Sequence, residues 1–440
     1  MNNLINMMRN FIFIFLFLNV FCELFSQQII VYNTSNSSIA SNNVKTVYVD
    51  EFGAIWFGTA NGLCRFYSNQ WKTYTTTDNI GQPPINAIIG NTKNTGEMII
   101  GTSNGGSIAV YNNQGVTSAN NYNKSSYPFL SDNIVDVTVD SYGTRYFATN
   151  KGITWNRGDK WDTITCNNFK SSIPKDPILC IYVSNDTLFV GSQGYEMAKG
   201  GIGRALLSLD GITGASIIQG PYNGNLNNAV HSVFIDNQRF QWYGTEGGVF
   251  KHYGWELKNL DFYTYYSRNE GLAGDTVYSI NQDQYGRIWL GTSGGISIVH
   301  SYGLRNLTHK NGLPSDTIYD IAFDNNKAWI ATPKGAASIQ SDIFVDVNNK
   351  EQINYDKKII KAHYSNNLLN IEFDCPSSQM VNIYLCSIDG KILSTLKYNA
   401  SKGLNTLSIN CSKYYLTKAA LYNVMIFSDG YFNSAKFIIN

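Results

Sequence analysis

"GRIWLGTSGGISIV", residues 286–299, reads at first sight as a glycine-rich phosphate loop. Such a loop needs a helix directly after its glycines, so that the helix N-terminus faces the anion. Here Ile296, Ile298 and Val299 follow, and β-branched residues favour strand. Gly294 and Gly295 are therefore expected to turn the chain between two strands.

The stretch has relatives along the chain, which makes it a repeat. Aligned on the Gly-Thr of "WLGT", the equivalent positions are Gly58, Gly101, Ala148, Gly191, Gly244, Gly291 and Ala331, spaced 40 to 53 residues apart. Two places earlier stand Trp56, Ile99, Tyr146, Phe189, Trp242, Trp289 and Trp329. Five places earlier stand Gly53, Gly96, Gly143, Asp186, Arg239, Gly286 and Asn326, residues that tolerate left-handed turns except for Arg239. Four places later come Gly62, Gly105, Gly152, Gly248, Gly295 and Gly335, with Tyr195 in the fourth unit. Each unit reads as strand, tight turn, aromatic-led strand, glycine turn, strand and fourth strand. Trp71, Trp161 and Trp255 begin the outer strands of three units. Four-stranded units at this period predict an all-β chain with a seven-bladed β-propeller over residues 27–345.

The bulk numbers narrow the function. The 440 residues carry 33 basic and 32 acidic side chains, a net +1, with 29 Tyr, 23 Phe and 8 Trp. That balance argues against nucleic acid or an anionic membrane as partner. Arg9 and the apolar run at 11–21 read as a secretory signal over residues 1–26, with Ser26 before the cleavage point. Phe21 is too bulky for Cys22 to sit in a lipid-attachment box. No other stretch is long and apolar enough for a membrane span. Cys64, Cys166, Cys180, Cys375, Cys386 and Cys411 show no metal-ligand spacing, and buried free thiols are expected. No metal and no cofactor are expected.

"DQYGRIWLGTSGGISIV" and "NGLPSDTIYDIAFDNNKAWIATPKGAASI" resemble the two-component regulator propeller repeats of bacterial hybrid sensors. The resemblance runs over all seven units. It implies extracytoplasmic recognition of carbohydrate polymers or their fragments. Membrane span, kinase and DNA-binding domain are not found in this sequence, so signalling by the chain itself is not expected.

After Asp346 the glycine-turn pattern stops, and "DVNNKEQINYDKK" reads as a linker. "NLLNIEFD", "MVNIYLCSIDGKILSTLKY", "GLNTLSINCSKY" and "ALYNVMIFSDGYFNSAKFII" then alternate apolar and polar residues, which predicts a small antiparallel β-sandwich over 346–440. The order of these strands resembles the C-terminal sorting domain of the type IX secretion system. Asp389, Gly390, Lys391, Gly403, the "LYNVMI" strand, Lys436 and Phe437 match it, whereas "HYSNNLL" lacks the usual Asn-Pro. The resemblance implies the type IX machinery as a partner and a secreted or outer-surface location. A plain immunoglobulin-like accessory domain is the alternative.

Candidate site residues follow from the repeat. The loops that enter the inner strands share a face with the Gly-Thr-x-x-Gly turns. On those loops Asn42, Pro83, Asp132, Asp176, Asn228, Asp275 and Asp316 are equivalent. They read as loop-closing side chains, or else as a ring at the channel mouth. The turn residues Asn61, Asn104, Lys151, Glu246 and Lys334 share this face. The fourth turn carries extra residues, "QGYEMAKGG", with Tyr195 as an aromatic platform. Tyr195 and Glu246 are expected nearer a ligand than any histidine, and Trp56, Trp242, Trp289 and Trp329 are expected to pack between blades.

Catalysis finds little support. His231, His252, His300, His309 and His363 form no HExxH, and no GxSxG is present. The reading is therefore a surface or secreted binder of glycan, with a propeller-type polysaccharide lyase or hydrolase, or a protein-binding adhesin, as alternatives. Finally, residues 29–33 are expected to supply the outer strand of the seventh blade beside residues 336–340, with residues 343–347 as the rival. Without one of them that blade would expose an unpaired edge.

Overall fold

The computed structural model describes residues 29–165, 177–193, 201–208, 211–218, 229–253, 263–300, 303–324, 327–340, 360–365, 367–375, 378–387, 392–411, 421–428 and 431–438. The expected signal, the linker, Trp255, Cys166, Asp389, Gly390, Lys391 and residues 343–347 lie outside them. Two compact units are present, one built on the repeats and one on the C-terminal strands.

Among the described residues the repeats form seven four-stranded sheets. Blades 1 to 6 begin with the strands Val44–Val49, Ile85–Gly90, Ile134–Val139, Ile178–Ser184, Val230–Ile235 and Val277–Gln282, and each runs through its four strands in chain order. Each first strand packs against the first strand of the next blade, and Val44–Val49 packs against Asp320–Asp324 of blade 7. The ring is closed, with the first strands innermost.

Blade 7 takes three strands from its own repeat and a fourth, Ile29–Tyr32, from the other end of the propeller. Ile29 pairs with Ile339 and Tyr32 with Ala336, as the sequence led one to expect. Tyr32 stacks on Trp329 at 5.8 Å and meets Phe66 and Trp71 of blade 1. The edge is thus covered by hydrogen bonds and by aromatic packing together.

The glycine of Gly-Thr is a packing requirement. A Cβ on Gly58 would lie 2.5 Å from Thr46 Cγ2 of its own inner strand and 2.8 Å from Ile85 Cγ2 of the next. Gly191 and Gly244 meet the equivalent two neighbours, so no side chain fits at this point in their blades, whereas blades 3 and 7 admit the single methyl of Ala148 and Ala331. The aromatic two places earlier fills the space between blades. Trp56 is fully buried and packs on Tyr74 and on Tyr111 of blade 2. Trp242, Trp289 and Trp329 are equally buried. Truncating such a side chain costs roughly 3–5 kcal/mol.

Hairpins between first and second strands are held by an aspartate. Asp50 Oδ1 accepts the Phe52 and Ala54 N–H groups while its Oδ2 accepts the Trp56 indole N–H at 2.7 Å. Asp236 and Asp283 repeat this with Trp242 and Trp289, and Asp140 takes the Tyr146 hydroxyl instead. Arg239, the exception to the turn rule, adopts φ +68° and so takes the glycine's conformation. In the fourth unit the left-handed residue is Asn185, one place before Asp186.

The C-terminal unit has two sheets. One is Ile360–Ser365, Leu368–Cys375 and Gly403–Asn410; the other holds Gln379–Ser387, Ile392–Ala400, Leu421–Ser428 and Tyr431–Ile438. Every pair with a described register is antiparallel. Leu369, Ile371, Phe373, Val381, Ile383, Val424, Ile426 and Phe437 form the core from alternate positions. Cys375 and Cys411 are buried there, and Cys64 and Cys180 are buried in the propeller.

Candidate functional site

Each glycine turn is pinned by the hydroxyl of its motif. Thr59 Oγ1 donates to Gly62 O at 2.8 Å and accepts the Asn61 N–H. Thr102, Thr149, Thr245, Thr292 and Thr332 do the same in their blades, and all are fully buried. Gly62 sits at φ +142°, where a Cβ would meet Tyr74 O at 2.7 Å, so glycine is needed on both counts. The clamp leaves Asn61, Asn104, Lys151, Glu246 and Lys334 exposed at the turn tips. These turns bond to the loops entering the inner strands: Ala60 N–H donates to Asn43 O, Glu246 N–H to Ala229 O and Ser293 N–H to Thr276 O. Turns and loops therefore share one face, the mouth face.

The loop residues are placed as follows. Asn42 Oδ1 accepts the Thr34 N–H, Asp132 Oδ1 the Lys124 N–H and Asp316 Oδ1 the His309 N–H. Asp275 accepts the Arg268 N–H at 3.3 Å. Each closes the loop that leads into its inner strand, which is the loop-closing reading of the sequence. Asp316 also meets His309 Nδ1 at 2.5 Å. Burial pushes its carboxyl up, but the His309 bonds outweigh that and hold it below the usual range. Tyr195, Asp176 and Asn228 lie outside the described residues.

Three residues further along each of these loops lies a ring that the sequence reading missed. In blades 1 to 6 the inner strand carries one extra residue relative to its partner, between Val44 and Thr46, Ile85 and Ala87, Ile134 and Asp136, Ile178 and Cys180, Val230 and Ser232, and Val277 and Ser279. A bulge of this kind re-aims a side chain. The extra residues are Lys45, Asn86, Val135, Leu179, His231 and Tyr278, with Tyr319 equivalent in blade 7, and all seven are half-buried. They meet across blades. Lys45 Nζ donates to Asn86 Oδ1 at 3.0 Å, His231 lies edge-on to Tyr278 at 5.6 Å, and Tyr278 meets Tyr319 at 5.9 Å. The mouth thus has an aromatic arc, a polar arc and an apolar arc.

Glu246 stands beside this ring. Its Oε1 lies 3.6 Å from His231 Nε2, a ring atom that is buried and has no hydrogen-bond partner. Burial pulls the His231 pKa down against the pull of Glu246, so the ring is held below its usual value.

In two inner strands the next residue is an aspartate that bridges blades. Asp320 Oδ2 accepts the Thr46 hydroxyl at 2.8 Å and the Val47 N–H at 2.9 Å, which ties blade 7 to blade 1. Asp136 Oδ2 accepts the Ile181 N–H of blade 4. Burial pushes Asp136 up to about 7 and Asp320 up to about 6, and Asp320 raises Asp136 further by its charge. Among the described residues no group of three or more His, Cys, Asp or Glu side chains is placed to hold a metal ion. Among them, too, no helix is long and apolar enough to cross a membrane.

With this geometry in hand, comparison with known proteins bears on the fold. The family model "Two component regulator propeller" matches residues 38–61 and 271–294. No curated protein matches the sequence. The extracellular domain of BT3049, assigned to a hybrid two component system of B. thetaiotaomicron, is 16% identical with a TM-score of 0.57, over 94% of this chain and 58% of its own. PorZ, a surface component of the type-IX secretion system of Porphyromonas gingivalis, is 12% identical with a TM-score of 0.51, over 93% of this chain and 61% of its own. Virginiamycin B lyase from Staphylococcus aureus is 13% identical with a TM-score of 0.53, over 71% of this chain and 98% of its own. The chain therefore spans less than two thirds of the BT3049 extracellular domain and of PorZ. At these identities the likeness is one of fold: an all-β propeller chain with the two-component regulator repeat.

Proposed function

We propose that this chain is an exported surface propeller that binds a carbohydrate polymer or its fragments at the channel mouth. One observation carries the reading. The ring residues His231, Tyr278 and Tyr319 form a continuous aromatic arc on the face where the exposed turn residues stand. Sugars bind through their C–H faces on aromatic rings and through hydroxyls hydrogen-bonded to side chains, so they need no net charge on the protein. Glu246 and Asn86 supply acceptors at the same level, and Asn61, Asn104, Lys151 and Lys334 form an outer rim. Export through residues 1–26 and the type IX machinery, with 346–440 as sorting domain, accounts for a separate C-terminal sandwich. The likeness to BT3049 and PorZ, an extracellular domain and a surface component, fits that setting.

A glycan array on the full secreted chain tests the reading, followed by incubation of each bound glycan to detect cleavage. Binding without turnover is expected. Turnover would move the chain to the lyase or hydrolase reading, and capture of surface proteins with no glycan signal would make it an adhesin. Deleting 346–440 is expected to leave protein in the periplasm with its propeller folded. Normal surface display of that truncated chain would remove the sorting role.

A further inference from the structure

Resting on the channel-mouth reading, we infer that the sugar taken there carries a carboxylate, and that Lys45 is the residue that selects it. Lys45 is the one ring member of the seven that brings a permanent positive charge. Among the described residues no carboxylate lies within ion-pair distance of it, and Glu246 stands 3.6 Å from His231 in another blade. The ammonium is also held in place. Asn86 commits its Nδ2 to Ile134 O at 2.8 Å and to Ser103 Oγ at 3.3 Å, which turns its Oδ1 toward Lys45. One of three ammonium donors is spent on Asn86, and the others are left for a ligand.

The neighbour on the other side is aromatic. Asp320 binds Thr46 and Val47, so Tyr319, directly before Asp320, and Lys45, directly before Thr46, hold equivalent places in adjacent blades. A sugar ring laid on Tyr278 and Tyr319 thus projects one edge toward a fixed, uncompensated cation. A neutral ring leaves that charge to water alone. A uronate places its C6 carboxylate there and gains a charge-assisted hydrogen bond.

The test compares uronate oligosaccharides, namely oligogalacturonate, alginate and hyaluronan fragments, with carboxyl-reduced counterparts made from the same preparations. Affinity for the full chain is measured by calorimetry. At least one acidic oligosaccharide is expected to bind tenfold or more tighter than its reduced partner, with the gap narrowing as salt rises. Lys45→Met is expected to bring the two within about threefold at an unchanged melting temperature, and Lys45→Arg to keep most of the gap. Tyr278→Ala is expected to weaken acidic and reduced forms alike. Equal wild-type affinity for the two forms, or a preference that survives Lys45→Met, overturns the role of Lys45 and leaves the mouth reading standing. Undiminished binding in Tyr278→Ala, or no binding of either form to the wild type, overturns the mouth reading and this inference with it.

Discussion

On one face of the propeller Asp50, Asp140, Asp236 and Asp283 close the hairpins between first and second strands. On the mouth face Asn42, Asp132, Asp275 and Asp316 tie the loops that enter the first strands. Both sets accept backbone N–H groups, and both recur along the repeats. They differ in what surrounds them. The hairpin aspartates are at most 7% exposed and reach an indole, a phenol or a guanidinium in the blade interior. The side chains of Asp132, Asp275 and Asp316 are 24%, 47% and 36% exposed and reach only their own loop and its basic neighbour. The first set is part of the core and the second is trim on a face left free for something else. Recurrence in a sequence therefore marks geometry, and burial decides what the geometry is for.

The largest expected effect concerns closure, on which both faces depend. A chain beginning at residue 33 loses the strand pairing of Ile29–Tyr32 and the Tyr32 contacts with Trp329 and Trp71. It should lose roughly 5 kcal/mol of stability, from about four backbone hydrogen bonds and one aromatic anchor. Urea unfolding of the chains beginning at 27 and at 33 would show this, and equal midpoints would mean that another segment fills the edge.

The two acidic sets should separate cleanly on mutation. Asp283→Ala removes the acceptor of two backbone N–H groups, of the Trp289 indole and of Arg287, whose Nε lies 2.6 Å from the carboxylate at 9% exposure. About 4 kcal/mol is expected. Asp316→Ala frees one loop N–H and an exposed histidine, and about 1 kcal/mol is expected. Similar costs from the two changes would erase the distinction drawn above.

A third acidic pair sharpens the contrast through pH. Asp136 and Asp320 ionise at about 7 and about 6 in the folded chain, whereas an unfolded aspartate ionises near 3.9. Between those values the folded state binds more protons than the unfolded one. Stability from this pair is therefore fully present below about pH 4 and falls as pH rises toward 7. Urea midpoints across pH 4 to 8 should decline on this account. Asp136→Asn and Asp320→Asn should each flatten the decline, and an unchanged slope would show that these carboxyls do not carry it. The smallest effect concerns Arg239 at φ +68°, where Arg239→Gly should raise stability by about 0.5–1 kcal/mol because a non-glycine residue is strained there. A lowered melting temperature would contradict it.

What was legible in the sequence were features whose cause lies within one repeat. Gly58 has no room for a Cβ, Thr59 pins its own turn, Trp56 fills the gap to the next blade, and each leaves its residue type at a fixed offset. The closing strand was legible because residues 29–32 stand before the first unit as an outer strand stands before every other. The mouth ring was not. An extra residue in a strand shows only against the partner strand, and Lys45, Asn86, Val135, Leu179, His231, Tyr278 and Tyr319 share no residue type. Neither the hairpin aspartate nor its indole partner six places on was inferred. Arg239 was read as an exception, yet the hairpin imposes its φ on whatever residue stands there.

The claim that the mouth face is the working face has a direct measurement. Tyr278 lies on the mouth ring, and Tyr285 is an exposed tyrosine at the tip of the opposite hairpin in the same blade. Calorimetry of a glycan that binds the wild type, repeated on Tyr278→Ala and Tyr285→Ala, compares the two faces within one blade. Tyr278→Ala should weaken binding about tenfold, the loss of one aromatic contact, while Tyr285→Ala binds as the wild type does. Unchanged binding in Tyr278→Ala, or a loss confined to Tyr285→Ala, would contradict the account.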